Sequence, residues 1–311
     1  MAPRLQQPLV RLLTVMRRAL TALAAAALVP AGLVGCGGEP SADRARPARL
    51  YPFASAVYFT AEEERVIQDA LEDRTATCMR ERGFDYEPVH GGSAEPEPDN
   101  PYALLDARTA ATHGYGIVPA AVRHRARPSA TSTPRPDPAY DRALVGSQNA
   151  QVTLSLPGGE QVAVATDGCV AAARTAVFGA DWDALYYAFQ SLSNRTIERT
   201  GQDPAVSAAV VSWSACVAES GYQAATPAEL REQLEQRAAQ ATDDVAMREA
   251  ARSELAAAGA DAACQERARL RGVTEQAQAA AERQLLTAPL QQDLTRLRHL
   301  KQAALTSRPP P

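Results

Sequence analysis

Lysine is almost missing from this chain. Lys301 is the one lysine in 311 residues, against 31 arginines, in a sequence also rich in alanine. The imbalance follows the codon usage of a GC-rich genome, so arginine positions carry little functional information. No H-E-x-x-H, no G-x-S-x-G and no phosphate-cradling glycine loop occurs, and His90, His113, His124 and His299 stand apart from one another. No metalloprotease, hydrolase or nucleotide-binding constellation is on offer, and the chain reads as a non-enzyme without a cofactor. Strand signal is confined to one stretch, so the repeated βαβ units of a bilobal solute receptor are missing. The apolar run Ala19–Val34 holds 16 residues, short of the roughly 20 that span a bilayer. Positive charge is scarce as well. Beyond residue 35, 28 basic residues face 36 acids, a net charge of −8 with histidine neutral. That excludes nucleic acid as a partner, because phosphates demand concentrated positive charge, and it excludes electrostatic adhesion to anionic lipid.

What is present begins with that short apolar run. Arg4, Arg11, Arg17 and Arg18 precede it, and Leu33-Val34-Gly35-Cys36 closes it. A basic segment, an apolar segment and a small-residue site make an export signal. No Phe-Leu-Lys follows Arg17-Arg18, so the pair reads as ordinary charge of that signal. The tetrad resembles the lipobox of bacterial lipoproteins, whose cysteine is diacylated and becomes the mature N-terminus. The resemblance implies that residues 1–35 are a signal peptide, that Cys36 carries a palmitate-type lipid anchor, and that the protein sits on the outer face of the cytoplasmic membrane. With the compositional bias it also implies an actinobacterial source. Residues 36–54, polar and proline-containing over most of their length, read as a flexible tether.

With Cys36 assigned to lipid, Cys78, Cys169, Cys216 and Cys264 remain. An even number outside the cytoplasm reads as two disulfides with three possible connectivities. Zinc favours close pairs such as C-x2-C, and the nearest two of these four are 47 positions apart, so no metal site is expected.

The folded part reads as mainly α. Thr60 and Glu63 form a capping box for a helix with Val66, Ile67, Ala70, Leu71, Cys78 and Met79 on one face and Gly83 at its end. Residues 88–101 are linker-like, a short helix and an HGYGI turn (113–117) follow, and residues 124–138 form the most disorder-prone loop. QVTLSL and QVAVA, separated by Pro157-Gly158-Gly159-Glu160, make a hairpin over 151–165 that needs helices to pack on. Helices follow through Cys169–Val177, from Asp181 or Asp183 to Gly201, and from Asp203-Pro204 to Gly221, the last with Val206, Ala209, Val210, Trp213, Cys216 and Val217 on its core face. From Thr226 nearly everything is helical. The stripes Leu230/Leu234/Ala238/Ala241/Val245, Leu270/Val273/Ala277/Ala280/Gln284 and Leu290/Leu294/Leu297/Lys301/Ala304 are narrow and small, and suit a helical hairpin or coiled-coil arm better than a deep core. Residues 307–311 read as a disordered tail.

Two segments echo each other. Cys78–Phe84 and Cys216–Tyr222 both read C-x4-G-aromatic at the end of a capped helix, and each is followed by a second helical cysteine. The simplest inference is two halves, 55–201 with the hairpin and 202–306, each stapled by its own disulfide: Cys78–Cys169 and Cys216–Cys264. The rival pairing joins the equivalent cysteines, Cys78 to Cys216.

The order of motifs adds a resemblance. C-x4-G-[FY] (78–84), GYG (114–116), a Pro-Gly-Gly hairpin (157–159), D-G-C (167–169), W-x2-C-x4-G-Y (213–222) and D-x2-C (261–264) resemble a group of actinobacterial, Streptomyces-type secreted lipoproteins over about residues 55–305. The resemblance implies the location and a disulfide-stapled fold, and it transfers no catalytic residue.

Three classes of function follow. The leading one is a surface-tethered interaction or accessory protein whose C-terminal helices contact another envelope component, such as a transporter or its adaptor. The alternative is a lipoprotein that binds a peptide, glycan or small molecule, with Trp182 or Tyr115 lining its pocket. The last is an envelope hydrolase using scattered acids. Asp181-Trp182-Asp183 has the look of paired carboxylates around an aromatic, although capping acids explain it as well, and Glu95, Glu97 and Asp99 read as solvated loop charges.

Overall fold

A computed structural model describes residues 49–91, 100–126 and 137–306. The signal segment, Cys36, Glu95, Glu97, Asp99, the tail from 307 and all but the end of the tether lie outside the described residues.

The elements run α1 (Pro52–Ser55), α2 (Ala61–Glu81), α3 (Ala107–His113), α4 (Ile117–Ala126), α5 (Pro138–Val145), β1 (Gln151–Ser155), β2 (Gln161–Ala165), α6 (Cys169–Phe178), α7 (Trp182–Gly201), α8 (Pro204–Glu219), α9 (Pro227–Gln240), α10 (Asp244–Arg267), α11 (Leu270–Leu285) and α12 (Ala288–Thr306). The fold is mainly α with one antiparallel hairpin and two disulfides, Cys78–Cys169 and Cys216–Cys264. Each staple stays within its own half of the chain, as the echo predicts.

Helix starts follow side-chain chemistry. Thr60 accepts from the Glu63 amide while the Glu63 carboxylate accepts from the Thr60 amide at 2.8 Å. Asp203 accepts from the amides of Ala205 and Val206 with Pro204 in the first turn. At α9, Thr226 accepts from the Glu229 amide, but Glu229 reaches back to Ala225. Helix ends follow glycine. In α2 the Phe84 amide bonds the Met79 carbonyl and the Gly83 amide bonds that of Arg80; in α8 Tyr222 bonds Val217 and Gly221 bonds Ala218. With φ of 81° and 88° at the two glycines, these are two copies of one Schellman end. The echo is therefore a repeated helix terminus. Beyond it the halves diverge, since Cys169 opens α6 whereas Cys264 lies near the end of α10.

The hairpin pairs Gln151 with Ala165 and Leu154 with Val162. It buries Val164 and leans on α7, where Ser191 donates to Glu160 and Arg195 to the Pro157 carbonyl.

The main core joins the first and last described segments. Phe53, Ala56 and Val57 pack with Ile67, Phe178, Trp182, Phe189 and Leu192, and with Leu285, Leu294, Leu297 and Ala304. Each disulfide has a smaller cluster: Met79, Ala143 and Phe84 around Cys78–Cys169, and Trp213, Val217, Ala224 and Leu230 around Cys216–Cys264. The halves interleave. α3 and α4 lie on α10 and α9, while α11 and α12 lie on α7. All described residues fall in one compact unit.

Four expectations change. The tether stops short of residue 54, because Tyr51, Pro52 and Phe53 are buried aromatic and ring surface belonging to the core. The C-terminal helices form no arm. Leu294 and Leu297 are buried and Leu290 packs beside them, so the stripe proposed for a partner is consumed within the chain. The buried face of α11 is Leu270, Thr274, Ala277, Gln278, Ala281 and Leu285, rotated from the expected one because two polar side chains find internal partners. Val245 is 67 % exposed at the start of α10, so the Leu230 stripe ends with Ala241.

α1 is unusual. Phe53, Ala54 and Ser55 have φ of 53°, 51° and 60°, a left-handed turn without glycine that costs about 1–2 kcal/mol per residue. Lys301 sits over its end, with its side chain 13 % exposed. The Nζ donates to the Tyr58 carbonyl at 2.6 Å and the Ser55 carbonyl at 3.3 Å. A compact ammonium with three donors suits converging carbonyls in a way that the planar arginine fork does not.

Candidate functional site

The densest polar chemistry lies where α10 meets the segment 100–118. Seven residues apart on one face of α10 stand Glu254 and Asp261, 3 % and 0 % exposed, among Ala257, Ala258, Ala262 and Cys264. A buried carboxylate needs donors, and the two obtain them differently. Glu254 enters the turn formed by Gly114-Tyr115-Gly116. Its Oε1 accepts from the amides of Tyr115 and Ile117 and its Oε2 from that of Val118, all at 2.9 Å. The GYG turn is thus an anion nest at the start of α4, filled by the chain's own carboxylate. Gly114 is required there: at φ +60° a Cβ would lie 2.9 Å from Glu254 Oε1.

Asp261 uses side chains. Trp213 Nε1–H donates to Oδ1 at 2.7 Å, Gln265 Nε2–H to Oδ1 at 2.9 Å and the Tyr115 hydroxyl to Oδ2 at 2.7 Å. Burial pushes the Asp261 carboxyl above its ordinary range, against the downward pull of those three donors, and burial next to Asp261 likewise raises the Tyr115 hydroxyl. Gln265 carries the network onward, accepting from the Leu105 amide and donating to the Ala103 carbonyl. The spacing is informative. Trp213-x2-Cys216 faces Asp261-x2-Cys264, so α8 and α10 are joined twice in the same order, by an indole–carboxylate bond and one turn on by a disulfide.

A second polar chain runs between α11 and the N-terminal segment. The Tyr102 hydroxyl donates to Gln278, Gln278 donates to Glu282, and Glu282 accepts from the Phe53 amide. Burial lifts the Tyr102 hydroxyl to about 12.

The residues singled out by sequence fall elsewhere. Asp183 makes a two-point ion pair with Arg174 on α6, and Asp181 pairs with Arg296 on α12. Neither caps α7. Trp182 is buried and stacked on Phe178 at 3.9 Å, and Tyr115 is held by Asp261, so both aromatics serve packing. Trp213 packs against its disulfide, as expected. His113 bonds its neighbour Thr112, and His90 lies on Asp73 at 2.8 Å, both exposed. A shallow hollow of about 1050 Å³ beside α5 is lined by Asp137, Asp141, Arg142 and Ser147 among others, none of them a sequence candidate. Among the described residues no group of histidine, cysteine or acid could hold a metal ion, and no helix is long and apolar enough to cross a membrane.

Sequence reasoning missed Glu254, Gln265, Gln278 and Glu282. The available signal was two acids seven apart on an otherwise alanine face, and the matched spacing of W-x2-C and D-x2-C. Chemically the arrangement fixes elements to one another, since each carboxylate spends its lone pairs on protein donors inside the fold. Comparison with family models, with curated proteins and with solved structures finds no match.

Proposed function

We propose that this chain is an extracytoplasmic lipoprotein, held to the outer face of the cytoplasmic membrane through Cys36, and that it acts there as a non-enzymatic accessory that docks another envelope protein. The observation that carries this reading is the tetrad Leu33–Cys36 at the end of a basic-then-apolar segment. The two disulfides support it. They use four of the five cysteines in bridges typical of oxidising compartments, leaving Cys36 as the one cysteine outside them. The docking face has to lie apart from the Leu290/Leu294/Leu297 stripe, which is interior.

Intact mass of the membrane-extracted protein, before and after reduction with alkylation, tests the address. The expected result is loss of residues 1–35, a diacyl adduct on Cys36, and four thiols that appear only on reduction. An unacylated chain with free thiols would overturn it. For the partner, carboxyl-directed crosslinkers are the reagents of choice. With 36 acids and one largely enclosed lysine, amine-directed reagents have little to act on. Crosslinked products containing no second protein would remove the docking role and leave the anchor standing.

A further inference from the structure

The first segment of the described fold is held in a conformation its own residues disfavour, and the holding groups come from its last two helices. The Phe53 amide donates to Glu282 Oε1 at 3.0 Å, Arg298 donates to the Phe53 carbonyl at 2.9 Å, and Lys301 donates to the carbonyls of Tyr58 and Ser55. The Lys301 ammonium also stands 4.4 Å from the Phe59 ring centroid and 3.4 Å from Glu63. The Phe53 ring meets Phe189 edge-on at 5.5 Å. Left-handed residues with a Cβ persist only where their surroundings over-determine them, and here three side chains from α11 and α12 do so.

We propose that residues 49–59 are a releasable strap: a segment that docks on α7, α11 and α12 and undocks as a unit, lengthening the connection between fold and membrane. The lengthening rests on the reading of Cys36 as the anchor; the undocking does not. Two observations point the same way. Tyr51, Phe53, Ala56 and Val57 are buried, and against that burial opening relieves three left-handed residues in one step, so it is easier than opening an unstrained segment of equal burial. The strap also stands between the anchor and the capped start of α2 at Thr60, so α2 keeps its own N-terminal hydrogen bonds when the strap leaves. Releasing residues 49–59 adds roughly 35–40 Å of reach at full extension.

Hydrogen exchange on the full-length, disulfide-intact protein tests this, read at the amides of Phe53 and Tyr58 against those of α7 and α10. In the wild type the strap amides exchange through an opening faster than the helix cores. Lys301→Met keeps the stem over Phe59 and loses the donors; it speeds strap exchange about tenfold and leaves α10 unchanged. Ala54→Gly, at an exposed position, removes one left-handed penalty and slows strap exchange about threefold. Strap amides that exchange in step with α7 in all three proteins overturn the strap, as does faster exchange in Ala54→Gly. The intact mass of the same sample reads the anchor separately: a missing acyl group overturns the anchor and the added reach, while exchange alone decides the undocking.

Discussion

Asp261 is a carboxyl group enclosed by protein and served by three donors, and its titration is the most informative single-residue property of the molecule. Its folded pKa lies above the ordinary value, so in the interval between the two the native state holds a proton that the unfolded chain has released. That contribution to stability is complete below the unfolded value, about 3.9, and is lost as pH rises through the folded value. Denaturation by urea from pH 4 upward should therefore show a falling component that disappears in Asp261→Asn. Asp167 runs the other way. Hydrogen bonds from the Ser147 amide and hydroxyl hold its carboxyl below the ordinary range, so its contribution is present above the unfolded value and lost as pH falls through the folded one. Tyr115→Phe removes the hydroxyl that feeds Asp261 Oδ2 and leaves a buried acceptor unpaired, at about 1–3 kcal/mol in the same assay. Glu254→Ala strands three amide donors of the GYG turn at once and should cost more, about 3 kcal/mol or above, with the loss of protection in exchange experiments centred on residues 114–118.

At the scale of elements, the two Schellman ends offer an internal control. A Cβ at Gly83 or Gly221 meets nothing within 4 Å, so Gly→Ala at either place is a conformational change without a steric one. Each should cost about 1–2 kcal/mol, and similar values at both would show by thermal melts that the echoed segments are energetically one device. The staples differ only modestly. Chain entropy gives about 4.1 kcal/mol for the 48-residue separation of Cys216–Cys264 and about 4.6 kcal/mol for the 91-residue separation of Cys78–Cys169, measurable as urea midpoints of the paired serine variants. The sequence made these elements legible because caps, glycines and prolines are local signals: Thr60, Asp203-Pro204, Thr226, Gly83, Gly221 and the hairpin turn each act within a few positions. It also gave the cysteine pairing, since each pair sits beside a recognisable helix end. What it hid was the partnership of helices. The inward face of α11 includes Thr274 and Gln278 because Gln278 has Tyr102 and Glu282 to bond, and no periodicity in residues 270–285 announces partners more than 170 positions upstream. Asp181 and Asp183 mark the start of α7 as their positions suggest, but the arginines that take their side chains lie on α12 and α6, and no local pattern announces them.

On the scale of the whole molecule, narrow apolar stripes became a core because the first and last described segments close on each other. Leu297 is fully buried among Phe53, Trp182 and Phe189, so Leu297→Ala should cost about 2–5 kcal/mol, and a charge at that position should unfold the protein instead of merely blocking a partner. Circular dichroism of Leu297→Arg checks this. The same closure fixes an order of events. A chain is made from its N-terminus, and Phe53 is among the first core residues to exist while Leu297 is among the last. Contacts so distant in sequence are slow to form, and here they are impossible until α12 has been delivered. A chain halted before α12 would leave Phe53, Trp182 and Phe189 without Leu294, Leu297 and Ala304 over them, the kind of transiently exposed apolar surface that invites aggregation.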